Sequence, residues 1–183
     1  MAITINGSGI TSANIADDTI VNSDINSSAA IAQSKTASLV GGDLPTGSVL
    51  QVVNNVTLTR DTTSSTSFVT TGITASITPS STSSKIFVIV SACGNVNNSA
   101  GVKLIYTLYR DSTNLGDADD GIGELRGITS IVRAGITPSY LDSPNTTSSV
   151  TYTLYFRTNG SATVEIPGTT GQTRSITLME IAG

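Results

Sequence analysis

The chain contains no histidine, no tryptophan, a single cysteine and only 12% charged residues. Each shortage excludes something. Without histidine there is no His-dependent triad, no imidazole metal ligand and no side chain whose ordinary pKa suits general-base work at neutral pH. Cys93 has no second cysteine to pair with and no companions for a thiolate metal site; at the end of an apolar run it reads as a small, inert core residue. The nine Lys and Arg residues are scattered and the net charge is −4, so no basic patch neutralises phosphates and nucleic acid is not an expected partner. The opening "MAITINGSGI" lacks the basic and apolar regions of a secretory signal, and the longest unbroken apolar run, "IFVIV" at 86–90, is far too short to cross a bilayer. The expectation is a soluble chain with no membrane partner and no cofactor.

What the chain has in abundance is Ser and Thr, roughly three residues in ten, set among apolar residues that make up 38%. Thr, Val and Ile crowd χ1 in a helix and sit well on a pleated sheet. The apolar residues cluster in short alternating runs, which disordered chains lack. The reading is all-β. A Gly/Pro-rich linker, "GGDLPTG" at 41–47, divides the chain into a polar leader, 1–46, and a strand-rich domain, 47–183.

In the domain, "SVLQVV" (48–53) and "VTLTR" (56–60) flank Asn54-Asn55, which reads as a turn. "ITASIT" (73–78) sets Ile73, Ala75 and Ile77 on one face before Pro79 ends it. "KIFVIVSAC" (85–93) is continuously apolar, as expected of a strand buried on both faces or at a protomer contact. "VKLIYTLYR" (102–110) and "SVTYTLYFR" (149–157) alternate, the latter with Val150, Tyr152, Leu154 and Phe156 together; "SITLMEIA" (175–182) aligns Ile176 and Leu178. Asn159-Gly160 has the chemistry of a type I′ turn and predicts a hairpin between 149–157 and 162–166. Eight or nine short strands spaced about ten residues apart indicate an antiparallel β-sandwich, jelly-roll-like. With five Tyr, three Phe and no Trp, its core is thin, which favours an oligomer that buries more surface between subunits.

The leader carries isoleucines five residues apart: Ile10, Ile15, Ile20 and Ile25, with Ile31 beyond. Five matches neither the helical period of about 3.6 nor the strand period of 2. Pentads are the repeat of a square β-solenoid, but four of them make one coil with nothing to stack on. Two readings remain: three such segments wound about a three-fold axis, one isoleucine of each pointing inward per layer, or an extended arm that orders on a partner surface. In both, these five isoleucines are the anchoring candidates.

Chemistry-bearing residues gather in one place, the stretch "GDADDGIGE" at 116–124 with Asp117, Asp119, Asp120 and Glu124. Carboxylates so grouped can ligate Ca²⁺ or act as a glycosidic acid–base pair. The calcium-loop pattern fails, because Gly121 stands fifth from Asp117 instead of sixth and Ile128 takes the place of the bidentate Glu. An exposed acidic loop between strands is the expectation, with no metal and no catalytic residues. The five tyrosines, at 106, 109, 140, 152 and 155, are read mainly as rings that pack with hydroxyls reaching water, and otherwise as platforms for a sugar.

Five stretches in order, "GSVLQVV" (47–53), "STSFVTTGITASITPSSTSSKIFVIVS" (65–91), "YRDSTNLGDAD" (109–119), "LDSPNTTSSVTYTLYF" (141–156) and "SITLMEIAG" (175–183), resemble the C-terminal β-domain of virion surface proteins of tailed bacteriophages, cyanophages among them: tail fibres, tailspike tips and capsid decoration proteins. The leader "GITSANIADDTIVNSDINSSAAIAQSKT" is similar to the stems or arms that precede such domains. The resemblance implies a homotrimeric β-sandwich on the outside of a virion; the missing histidine and the failed carboxylate patterns make a role without enzymatic activity the expectation. An extended leader of about 45 residues reaches at most about 150 Å, short for a fibre shaft and ample for an arm across capsid subunits. The expectation is therefore a capsid decoration (cement) trimer whose partners are its own copies and the phage major capsid protein. The alternative is a fibre tip that recognises a host cell-surface glycan.

Overall fold

The computed structural model describes residues 44–97, 100–166 and 173–183. Ile10, Ile15, Ile20, Ile25 and Ile31, and with them the leader reading, lie outside the described residues. Among the described residues there are twelve strands and no helix, more strands than the turn signals suggested. They are β1 (Val49–Thr57), β2 (Asp61–Thr63), β3 (Val69–Ile77), β4 (Lys85–Val96), β5 (Lys103–Arg110), β6 (Thr113–Asn114), β7 (Gly123–Arg126), β8 (Val132–Ile136), β9 (Ser139–Asp142), β10 (Val150–Thr158), β11 (Val164–Ile166) and β12 (Arg174–Ile181).

Two antiparallel sheets pack face to face as a β-sandwich. The seven-stranded sheet runs β1-β12-β4-β11-β2, with β8 and β9 on the other edge of β4; the five-stranded sheet runs β3-β10-β5-β6, with β7 also on β5. Each strand folds as its alternation dictates. Ile73, Ala75 and Ile77 of β3, Ile86, Val88, Val90 and Ala92 of β4, Val150, Tyr152, Leu154 and Phe156 of β10, and Ile176 and Leu178 of β12 all point into one core. Full burial of such an aliphatic side chain contributes about 1.5–3 kcal/mol.

Several sequence readings are corrected. Asn54-Asn55 is not a turn. β1 runs straight through it, paired with Thr177 and Ile176 of β12, because both side-chain amides find work beside the strand. Asn54 Nδ2 donates to Thr177 Oγ1 at 2.8 Å, and Asn55 Nδ2 donates to the Thr74 carbonyl of β3 at 2.7 Å. Gln51 Nε2 likewise donates to the Thr78 carbonyl (2.8 Å), and Asp61 Oδ2 accepts from Gly72 N–H (3.1 Å). Polar side chains from β1 and β2 thus occupy the open edge of β3, where unpaired backbone groups would invite another strand.

Nor do 149–157 and 162–166 form a hairpin. β11 pairs with β2 and β4 in the opposite sheet. Neither Asn159 nor Gly160 has the positive φ that a type I′ turn needs. The Asn159 side chain instead clamps the start of β5, accepting from Lys103 N–H at 2.7 Å and donating to the Gly101 carbonyl at 3.1 Å. The chain passes between sheets here.

β4 is not buried on both faces within this chain. Its even-numbered residues from Ile86 to Ala92 are buried, while Phe87, Ile89 and Cys93 on the other face are half-buried. Cys93 is therefore not a core residue: its odd position in an alternating strand turns it outward.

Four buried ionic groups could not be read from alternation. Asp142 of β9 accepts from Arg110 Nη1 (2.9 and 2.7 Å) and from the Tyr152 hydroxyl (2.6 Å), joining the two sheets through the core. Glu165 is held by Arg60 and by Asn95 Nδ2 at 2.7 Å. Arg174, fully buried, donates through Nη1 to Asp61 Oδ2 (2.5 Å) and to the Ile166 carbonyl (2.9 Å). Glu180, also fully buried, accepts from Ser80 N–H (2.7 Å), Ser80 Oγ (2.6 Å) and Gln51 Nε2 (2.6 Å). Each buried carboxylate has the partners that make burial tolerable.

Candidate functional site

The two outer faces of the sandwich differ in chemistry. On the seven-stranded sheet, strand register places Val52 of β1 beside Met179 of β12, Met179 beside Phe87 of β4, and Phe87 beside Leu141 of β9. Four apolar side chains thus lie in one row across four strands, spanning about 14 Å at the usual spacing between strands. Val52 and Leu141 are 56% and 52% exposed, so none of the described residues covers the ends of this row. On one side the next row, Asn54–Thr177–Ile89–Ser139, and the one after it, Val56–Ser175–Ser91, carry no charge; on the other side the row Val49–Ile181–Lys85 ends on an exposed lysine. Sequence reasoning found the apolar run of β4 but not this row, because its members are brought together only by pairing.

On the five-stranded sheet, the outward positions of β3 and β10 form a ladder of hydroxyls, with Thr74 and Thr153 bonded at 2.8 Å and Ser76 and Thr151 at 2.8 Å. Beyond the ladder the face turns aromatic. Tyr109 of β5 stacks on Tyr155 of β10, centroids 4.0 Å apart and planes at 27°, and meets Phe68 edge-on at 6.4 Å. The Arg157 guanidinium lies 5.3 Å from the Phe68 centroid. Its Nη1 donates to the Thr66 carbonyl at 2.9 Å and its Nη2 to the Asp119 carbonyl, tying two loops together. Between these loops opens a cleft of about 370 Å³, lined by Thr66, Ser67, Phe68, Tyr109, Ala118, Asp119 and Arg157. Two tyrosines were candidates from sequence; Phe68 and Arg157 were not, since nothing local marks them.

The acidic stretch is a tight, exposed loop on the rim of that cleft. Asp117 and Gly121 exchange backbone hydrogen bonds (3.0 and 3.1 Å), and Asp117 Oδ1 accepts from the N–H groups of Asp119 (2.8 Å) and Asp120 (2.9 Å). Those two donors, Asp120's first, hold the Asp117 carboxyl below its ordinary pKa. Gly121 has φ +62° and lies against the Tyr106 carbonyl, where a Cβ would collide. Glu124 is drawn away from the aspartates by Lys103 (2.5 Å) and Arg126 (3.2 Å), and its pKa is lowered, Lys103 being the main cause. Among the described residues no three metal-ligating side chains converge.

Inside the sandwich, burial and the hydrogen bond to Asp142 push the Tyr152 hydroxyl far above its usual range, so it serves there as a fixed donor. Burial opposes ionisation of Glu180, but the hydrogen bonds from Ser80 and Gln51 outweigh it and leave the carboxyl below its ordinary pKa. No protein-family model matches this chain, and no curated protein matches it.

Proposed function

We propose that this protein is a non-enzymatic structural component of a tailed-phage virion, a homotrimer that binds the outer capsid surface and reinforces it. The observation that carries this reading is the Val52–Met179–Phe87–Leu141 row. An apolar strip open at both ends, flanked by the uncharged row Asn54–Thr177–Ile89–Ser139 on one side and by Val49–Ile181–Lys85 on the other, suits contact with another subunit. The buried carboxylates add support, since Asp142, Glu165 and Glu180 are each committed to fixed partners. In this reading residues 1–46 are arms, with Ile10, Ile15, Ile20, Ile25 and Ile31 as anchors. Capsomers under internal pressure part only after the trimer has been peeled away, and three simultaneous attachments multiply effective concentration.

Quantitative gel densitometry of purified virions tests the placement: hundreds of copies per particle support decoration, while a few dozen or fewer overturn it. Deleting residues 1–46 is expected to abolish decoration and leave the β-domain folded; decoration at full occupancy without them would refute the arm. Sedimentation tests the assembly face, where Leu141→Asp together with Phe87→Asp is expected to turn trimers into monomers.

A second reading, a fibre-tip domain that recognises a host cell-surface glycan, is favoured by the polar cleft beside the Tyr109–Tyr155 stack on the opposite face.

A further inference from the structure

We propose that Asn159 is a site of spontaneous deamidation, held back in the folded domain by its own hydrogen bonds and damaging to the start of β5 once it has reacted. The chemistry lies in the pair Asn159-Gly160. The Gly160 backbone nitrogen, on losing its proton, attacks the Asn159 side-chain carbonyl carbon. A C–N bond forms, Nδ2 departs as ammonia, and the five-membered imide takes up one water to open as aspartate or isoaspartate. A side chain on the following residue hinders that attack, and glycine has none. Among the described residues Asn159 is the one asparagine that precedes a glycine, and it is exposed to water. Gly160 is not required by shape: its φ is not positive, and a Cβ built on it would meet nothing within 4 Å.

Two restraints oppose the reaction in the folded domain. The attack needs a carboxamide free to turn over the Gly160 nitrogen, and this one is pinned at both ends. Its Oδ1 accepts from Lys103 N–H at 2.7 Å, and its Nδ2 donates to the Gly101 carbonyl at 3.1 Å. The attacking nitrogen is engaged as well, since Gly160 N–H donates to Thr158 Oγ1 at 3.3 Å. Reaction therefore waits for local opening, and its rate is the open fraction multiplied by the rate in a free peptide. The net worth of two ordinary hydrogen bonds sets that fraction at about a tenth or less.

The product cannot rebuild the clamp. A carboxylate has no N–H to offer the Gly101 carbonyl, and it sets a negative oxygen against that carbonyl instead. Isoaspartate also adds a methylene to the backbone where the chain crosses from β10 to β11. Gly101 and Gly127 report on the damage, because Gly101 N–H donates to the Gly127 carbonyl (3.2 Å) and Gly127 N–H to the Val102 carbonyl (2.7 Å).

The full chain is incubated at neutral pH, folded and in strong urea, and the aspartyl and isoaspartyl peptides are counted over time by mass-spectrometric mapping. The other Asn-Gly of the chain, Asn6-Gly7, lies outside the described residues and falls in a separate peptide. Asn159 is expected to convert in both conditions, about tenfold or more slowly in the folded chain. Gly160→Ala, for which there is room, is expected to suppress the conversion even in urea. Asn159→Asp, the lesion made directly, is expected to speed hydrogen exchange at Gly101 and Gly127 about fivefold and to leave β12 unchanged. Equal rates with and without urea would overturn the restraint, absence of conversion in urea would overturn the site, and unchanged exchange in Asn159→Asp would overturn the lesion.

Discussion

The outer face of the seven-stranded sheet and the outer face of the five-stranded sheet are built by the same alternation, yet they present opposite chemistry. One carries Val52, Met179, Phe87 and Leu141 in a flat row. The other carries paired hydroxyls that end in Tyr109, Tyr155 and Arg157, overlooked by an acidic loop. The inward faces share Val, Ile and Leu, with Tyr152 and Phe156 of β10 added on the five-stranded side. Inward residues of this sandwich hold it together, while outward residues set two different surfaces, one with an apolar row and the other with hydroxyls and stacked rings. Four of the eight aromatic side chains, Phe68, Phe87, Tyr109 and Tyr155, stand on or beside these outer faces, which a core so short of aromatics would not release without cause.

Several changes test whether the two faces are separate. The largest effect is expected from Asp142→Ala, which strips the half-buried Arg110 and the buried Tyr152 of their common acceptor and cuts the polar link between the sheets. Denaturant unfolding should show a loss of about 3–5 kcal/mol, with both faces disturbed. Gly121→Ala should cost about 1–3 kcal/mol through its positive φ and the collision with the Tyr106 carbonyl. Its damage should stay with the acidic loop, so hydrogen exchange should speed up around 113–122 and remain unchanged in β12.

Acid is a milder probe of the opposite sheet. The Glu180 carboxyl titrates below its ordinary value of 4.5, so its contribution is complete above that value and disappears as pH falls through the depressed one. Stability measured from pH 7 down to pH 3 should therefore decline at the acid end, and Glu180→Gln should flatten that decline. The smallest effect belongs to Leu141→Thr, an exposed position whose replacement should alter domain stability by no more than about 0.5 kcal/mol and leave the cleft unchanged. A larger loss would mean that the apolar row holds the domain together instead of serving its contacts.

Much of the fold was legible because burial on one face of a strand writes a period of two into the sequence. Ile73, Ala75 and Ile77, and Val150 through Phe156, went where that period sent them. Failures came where side chains had alternative partners. Asn54-Asn55 and Asn159-Gly160 have turn chemistry, but Asn55 bonds across to Thr74 and Asn159 to Lys103 and Gly101, and these partners are invisible locally. The cleft was half legible. Tyr109 and Asp119 stand out in the sequence, whereas Phe68 and Arg157 join them only through the pairing of β3 with β10 and of β10 with β5.

From the sequence alone came the all-β class, the inward stripe of the long strands and the want of groups for histidine or disulfide chemistry, since these follow from composition and from contacts along a single strand. Tertiary structure alone decided which strand lies beside which. That in turn decided that Phe87 has Leu141 and Met179 for neighbours, that Tyr109 faces Asp119 across a cleft, and that Arg174 and Glu180 are buried with partners. The physical reason is that register couples residues dozens of positions apart through backbone hydrogen bonds that every residue offers alike, so the choice among pairings is made by the packing of the whole.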